Sequence, residues 1–490
     1  MTSFGTRHQQ QIWDVIVVGT GMGGATAGYA LAKAGRTVLF LEAGQQPSLT
    51  GYVEAAPDYS QMSVEQRSDL LREGGRACHT LDDGEGDAGV SPFIGIGTGG
   101  SSALYGMALE RLFPSDFATW PITYEQMAPW YEAAERLYRV RGTVDPLRKE
   151  SAPQLLPPPP LSRCNSSMFA HLSHRGLHPY QLHLACERVQ GCQLCQGYIC
   201  PKSCKNSSLN ICLDPALMLE NVTLIHESPA VSLEVSGRRV ARVVTPKATF
   251  SGRVIVMAAG ALASPRLMPD EANRSRCVGR YLMRHAIDLF SLRKAPPLDS
   301  NADSKELGLS DFYIDGSDTL GTIQSFGVQQ PAKYLLNQPG RRWISRLGDP
   351  LTRFLMDRSA RAPVVAAILQ DDPNEENWVS ARKLRHQFGS DDLRRRNKFR
   401  QHALDAFAGL GPVQLHKARK DRAGLAHACG TCRFGDDPRS SALDRWNRSH
   451  DMDNLYVVDA SFFPTSGGVG PALTVAANAL RVADEIERRL

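Results

Sequence analysis

A chain of 490 residues exceeds what one hydrophobic core usually fills, so two packed domains are expected. Lysine and arginine number 56 against 51 aspartates and glutamates, and a net charge of +5 spread over ordinary composition excludes an electrostatically driven nucleic-acid or membrane partner. No stretch approaches the roughly 18 consecutive apolar residues of a membrane helix, and the opening MTSFGTRHQQQIWD has neither apolar core nor cleavage pattern; a soluble, unexported, cytoplasmic protein is expected.

In chain order, DVIVVG, ATAGYALAKAG and TVLFLEAG read strand, helix, strand, because a β-branched run gives way to alanine-rich helical spacing and then returns. Between the first two elements, Gly19, Gly21 and Gly24 form G-x-G-x-x-G, with Glu42 ending the next strand. A dinucleotide needs this set: a tight turn, bare backbone beside a pyrophosphate, close helix packing, and a carboxylate for ribose hydroxyls. The helix N-terminus adds free N–H groups and a favourable dipole. A second match, Gly95, Gly97 and Gly100 in GIGTGG, follows only PFI and does not define another unit. The fingerprint by itself fits FAD or a nicotinamide.

Pro157 to Pro160 form a stiff connection and mark a domain crossing. Seven of the 11 cysteines then fall between Cys164 and Cys212. Cys192, Cys195, Cys200 and Cys204 have the density of thiolates wrapped around a cuboidal iron–sulfur cluster, with Cys186 and Cys212 as extra ligands or neighbours. Structural or disulfide-linked cysteines and a zinc site are the other readings. Further strand-to-helix units begin at Arg253 and near the C-terminus, whereas residues 290 to 424 lack that rhythm. The basic runs DLRRRNKFRQH from Asp392 and KARKDR from Lys417 read as solvated helix faces. In the last helix Pro471 suits the first turn, and Leu473, Ala476, Ala477, Leu480 and Ala483 form one apolar face.

The fingerprint, GTGGSSALYGMALERLFPSDFATW, VIVMAAGALASPRLM with VGRYLMRH, and the segment from HACGTCRFG to the last helix together resemble the glucose–methanol–choline (GMC) oxidoreductases, FAD enzymes that oxidise alcohols. The resemblance implies an α/β fold: a discontinuous Rossmann-like FAD-binding domain (1–135, 205–290 and 425–490) and a substrate domain built on an antiparallel sheet (136–204 and 291–424, with cysteine-rich segment 186–212). It places Gly100, Ser101 and Ser102 along FAD, Ala230 near the adenine, Asp459 and Ala460 near the ribityl and pyrophosphate, and Gly470 and Pro471 at the flavin. No covalent flavin link is expected.

Taking a hydroxyl proton as hydride leaves carbon requires a base. His427, in HACGTCRFG, matches the family's active-site histidine. The family's second polar residue, asparagine or histidine, is replaced by Gly470, which leaves room for a bulkier substrate or a water, with Thr465, Ser466 or a group from the substrate domain as candidate substitutes; Tyr105 stands where asparagine is common. The intervals of Cys195, Cys200 and Cys204 resemble the segment holding a three-iron cluster in bacterial FAD-dependent glucose dehydrogenases, which implies a 3Fe-4S or 4Fe-4S cluster passing electrons to an external acceptor. The expected substrate is a small-molecule alcohol: a sugar, polyol, amino sugar or secondary-metabolite alcohol. The rivals are an oxygen-reducing oxidase with structural cysteines, and a flavoprotein with altered chemistry or an electron-transfer role, motivated by Gly470.

Overall fold

A computed structural model describes residues 11–44, 80–82, 95–150, 152–192, 194–196, 200, 202–292, 294–297, 299, 305–326, 362–381, 383–410, 413–416 and 427–490. The expected basic run from Lys417 lies outside them.

Strand β1 (Ile12–Val18) is central in a mostly parallel sheet and buried along its last four residues, which is why its apolar run does not alternate. Val17 pairs with Phe40 of β2 (Val38–Leu41) on one side and with Val256 of strand Thr249–Met257 on the other. Strand Val222–Ile225 extends the β2 edge, and Leu455–Val457 joins beyond Thr249–Met257, both in parallel. Segments far apart in sequence therefore close one Rossmann-like sheet, as expected.

Helix α1 (Met22–Lys33) packs on this sheet through small residues. Gly19 takes φ +99°, where a Cβ would stand 2.5 Å from the Ala258 carbonyl oxygen; a Cβ on Gly24 would stand 2.2 Å from the Gly19 oxygen. The turn and the close helix approach thus both require glycine.

The final helix, Ala472–Arg489, departs from the single apolar face expected. It is buried on nearly every side through its first three turns, because it is wedged between α1 and helix Tyr124–Leu137. Among its buried polar groups, Thr474 bonds Tyr131 (2.8 Å) and Arg481 donates to Asn447 and Asn478 (both 2.8 Å), while Asn478 Nδ2 has no partner among the described residues.

The second sheet is antiparallel, in the order Val413–His416, Ala286–Leu292, Val364–Leu369, Gly321–Phe326, Leu307–Leu309, Tyr180–Gln181. Its two faces differ, as period two requires. Ile323, Val365, Ala367 and Phe290 pack with Met168 and Leu172 of helix Arg163–His174 and with Phe399 and Ala403 of helix Ser390–Ala406. Thr322, Gln324 and Phe326 occupy the opposite face. Thr322 donates through N–H and hydroxyl to the Gly468 carbonyl (3.1 and 3.0 Å), so this face sits directly on the loop entering the final helix.

The basic run in Ser390–Ala406 is not a solvated face. Arg395 is buried and bonded to Asp392, while Arg396 and Arg400 both grip the buried Asp288 on the adjacent strand (2.8 and 2.7 Å). The cationic side chains hold the helix to the sheet, which a sequence pattern cannot distinguish from solvation. Among the described residues, no helix is long and apolar enough to cross a membrane.

Candidate active site

The glycine turn after β1 opens onto free space. A Cβ on Gly21 would meet no atom within 4 Å, and Gly100 backs onto this point, where a Cβ on it would stand 3.1 Å from the Gly21 Cα. Ser102 is buried; its hydroxyl donates to the Gly99 carbonyl (2.7 Å) and accepts from the Ser208 N–H (3.0 Å). Ser101 is exposed and accepts from the Gly95 N–H at 3.3 Å. Ser208, absent from the sequence expectations, also donates to the Thr20 carbonyl at 3.1 Å and so ties the serine loop to the glycine turn. Ala230 is half-buried, just past Ser228, whose N–H donates to the Glu42 carbonyl (2.9 Å).

Glu42 is already engaged. One carboxylate oxygen accepts from the Thr20 N–H and hydroxyl (3.1 and 2.6 Å), the other from the N–H groups of Gly44 and Gly97 (3.0 and 3.1 Å). These four bonds use the lone pairs of both oxygens, so a ribose hydroxyl must displace one of the loop amides. Asp459 likewise binds its own surroundings, accepting from the N–H groups of Gly260 and Ser461 (both 2.9 Å), while the Ala460 carbonyl accepts from Gly430 (3.1 Å). Two buried atoms near the carboxyl ends of these strands, Thr98 Oγ1 and His226 Nδ1, have no partner among the described residues. Unsatisfied polar atoms at the strand ends, beside a bare glycine backbone, fit a dinucleotide such as FAD.

His427 has φ +61° and meets a second histidine. His285, which directly precedes strand Ala286–Leu292, places Nδ1 2.8 Å from His427 Nδ1 and Nε2 2.7 Å from the Gly467 carbonyl oxygen. A carbonyl only accepts, so His285 carries its proton on Nε2, and its Nδ1 accepts from His427 Nδ1–H. His427 Nε2 is then left with a free lone pair. Burial, helped by His285 and by the charge of Lys305, lowers the His427 pKa to about 3, so that lone pair persists at neutral pH. The sequence contained His285 in VGRYLMRH, but only the fold brings it to His427.

Gly470 is next to this base: a Cβ there would be 3.6 Å from His427 Cε1 and 3.8 Å from Nε2. Both distances are ordinary contacts. Gly470→Asn should therefore fold, with stability within about 1 kcal/mol of the parent in urea denaturation. Thr465 and Ser466 do not fill the gap. Thr465 accepts from Trp120 Nε1 (2.9 Å) and donates to the Asp116 carbonyl (3.3 Å), and Ser466 is held by the Asp371 backbone (2.9 and 3.0 Å). Tyr105 donates to the Asn206 carbonyl at 2.5 Å.

The cysteine-rich segment folds beside this region. The Sγ atoms of Cys186, Cys192 and Cys204 all lie within 4.8 Å of one another, with 3.7 Å from Cys186 to Cys192 and 3.5 Å from Cys204 to Cys192. Cys200 lies 3.4 Å from Cys204, and Cys195 hydrogen-bonds Cys200. Cys186 therefore joins the four thiols expected. Cys212 does not; it is buried against Tyr138 and Thr26 (3.4 and 3.8 Å). Arg188, Gly191, Leu194 and Ser203 adopt positive φ, the turns that fold the loop back on itself. Sharing of S–H hydrogens lowers the pKa of Cys192, chiefly through Cys186, and of Cys200, chiefly through Cys195, and raises those of Cys186, chiefly through Cys192, and of Cys204, chiefly through Cys186, so thiolate gathers on Cys192 and Cys200. None of the printed separations is near the roughly 2.05 Å of a disulfide. Tetrahedral thiolates at about 2.3 Å from one ion stand about 3.8 Å apart, which Cys186, Cys192 and Cys204 approach; a cuboidal cluster needs its thiolates farther apart.

The GMC oxidoreductase family profile matches residues 365–479, and an NAD(P)-binding Rossmann-like profile matches residues 17–78. The chain carries a C-terminal GMC oxidoreductase domain beside a Rossmann-like dinucleotide domain. It is accordingly an FAD-dependent alcohol oxidoreductase. The chain is 27% identical to a 6'''-hydroxyparomomycin C oxidase of Streptomyces lividus, over 98% of this chain and 92% of the relative. It is 25% identical to a 2-methyl-1,2-propanediol dehydrogenase of Mycolicibacterium austroafricanum, over 97% of this chain and 95% of the relative. The crystal structure of pyridoxine 4-oxidase from Mesorbium loti shares the fold, with TM-score 0.65 at 19% identity, covering 96% of this chain and 99% of that one.

Proposed function

We propose that the protein oxidises a hydroxyl of a small polyhydroxylated substrate, a sugar, polyol or amino sugar, to an aldehyde or ketone, with His427 as base. The observation that carries this reading is the relay from the Gly467 carbonyl through His285, which leaves His427 Nε2 free beside Gly470. When bound, FAD supplies a hydride acceptor. Gly19, Gly21, Gly24, Gly100 and Ser102 would hold its pyrophosphate side, Glu42 and Ala230 its adenosine side, and Asp459, Ala460, Gly470 and Pro471 its flavin half. His427 takes the hydroxyl proton at Nε2, and His285 fixes the ring's tautomer and orientation. The names of the relatives, which include an aminoglycoside oxidase and a diol dehydrogenase, support a polyhydroxylated substrate.

In this reading the FAD-binding domain takes 1–135, 205–285 and 425–490. The second crossing falls at 285 rather than 290 because Ala286–Leu292 pairs inside the antiparallel sheet. The clustered thiols support a reducing compartment, hence the cytoplasm.

The cysteine segment is read as a metal centre. Spacing along the chain supports an iron–sulfur cluster and a dehydrogenase with an external acceptor; the short Sγ separations favour a mononuclear thiolate ion, which leaves oxygen as the flavin's oxidant. Metal and acid-labile sulfide analysis of anaerobically purified protein separates the two: iron with sulfide gives the first, about one zinc per chain the second. Anaerobic bleaching of bound FAD by members of a panel of glycerol, 2-methyl-1,2-propanediol, glucose and glucosamine tests the main reading. A flavin that none of them reduces would favour the electron-transfer alternative.

A further inference from the structure

The substrate-side face of the antiparallel sheet carries one cation that the alcohol chemistry above does not use. Lys305 precedes strand Leu307–Leu309 and is only 5% exposed. Its Nζ lies 5.6 Å from the ring centroid of Phe326, on the same face as Thr322 and Gln324. Among the described residues, it has neither a hydrogen bond nor an ion pair. The nearby buried carboxylate, Glu110, accepts from the Tyr180 hydroxyl and from Gln324 Nε2 at 3.0 Å, and its charge offsets part of the cost of burying Lys305 without bonding it.

A buried ammonium with unfilled donors is costly, and it persists where a ligand completes it. The space it faces is polar. A Cβ on Gly106 would stand 2.5 Å from Lys305 Nζ and 3.2 Å from Gln196 Oε1, a buried acceptor that also lacks a partner. Thr322, on this same face, bonds the Gly468 carbonyl, and Gly470 two residues on lies against His427, so Lys305 is on the base's side of the sheet. Burial lowers its own pKa to about 8, so it remains mostly protonated at neutral pH.

We infer that Lys305 is the second catalytic residue: its ammonium donates a hydrogen bond to the oxygen of the reacting hydroxyl, the part no side chain at Gly470 can take. Thr465 and Ser466 are turned into the protein, and Tyr105 is committed to Asn206, so the donor comes from the substrate domain. The O–H proton passes to His427 Nε2 as the C=O double bond forms, and FAD, when bound, would accept the C–H electron pair as hydride. Lys305 keeps its protons throughout and stabilises the negative charge developing on oxygen.

The inference rests on the alcohol reading, and the test separates the two. FAD-loaded wild type, Lys305→Met and Lys305→Arg are titrated with acetate, whose oxygen stands in for an alkoxide, by following flavin absorbance. They are then mixed anaerobically with the alcohol panel, and reduction rates are taken per bound flavin. Lys305→Met should bind acetate on the order of 10-fold more weakly and reduce its flavin on the order of 100-fold more slowly, with Lys305→Arg recovering most of the acetate binding. Should the methionine variant fail to hold FAD, Lys305→Gln serves in its place. Acetate affinity and reduction rate both within threefold of wild type would overturn the inference. If no alcohol reduces the wild-type flavin while acetate binding still depends on Lys305, the alcohol reading fails and Lys305 stands as the oxygen-binding donor.

Discussion

His427→Ala should keep FAD bound and slow anaerobic flavin reduction by a substrate alcohol by about 10²- to 10⁴-fold, the range attached to a positioned general base. FAD retention is expected because, among the described residues, the side-chain hydrogen bond of His427 goes to His285 and not to the glycine turn or the serine loop. The pH dependence has a definite sign. An ordinary imidazole loses its free lone pair as pH falls through about 6.5. His427, held at about 3 by burial, by His285 and by the Lys305 charge, keeps it, so the reduction rate should stay level from pH 7 to below pH 6. The same shift means that the unfolded chain binds more protons than the folded one between these two values, so this histidine's contribution to stability is present above about 6.5 and is lost towards pH 3. A rate that declines with a midpoint near 6.5 would show that His427 titrates normally and that the relay through His285 does not set its protonation. His285→Phe should move that midpoint as well as lower the rate, which a purely packing role would not do.

The largest stability effect is expected at Arg111. Its guanidinium meets Glu135 in a bidentate pair, 2.6 Å from Nε and 2.7 Å from Nη2, with both side chains at 3% exposure or less. Glu135 lies on helix Tyr124–Leu137, which packs on the final helix, and its carboxylate also accepts from the Gln154 N–H at 2.7 Å. Arg111→Met would leave a buried carboxylate without its counter-charge, a change worth about 3–5 kcal/mol. Urea unfolding should report the loss as a lower midpoint at unchanged slope. The double variant Arg111→Met/Glu135→Met should recover much of it, since the cost lies in the unpaired charge more than in the missing pair.

The sequence by itself determined the dinucleotide frame. A β-branched strand, a glycine turn and an alanine-rich helix are local features, and the period and turn chemistry that specify them act within some thirty residues. It likewise singled out His427 and the clustered thiols, because these sit in short, compositionally distinctive runs. The tertiary structure decided what distance in sequence concealed: His285 reaches His427 across 142 positions, Cys186 joins the thiol group, and Cys212 leaves it for Tyr138. It also turned a basic helix face expected in solvent inward onto Asp288, and engulfed a helix expected to bury one side. The physical reason is the same in each case. Periodicity and composition report a residue's own propensity and its near neighbours, whereas a tautomer, a counter-ion or a burial partner comes from whichever element the fold lays against it.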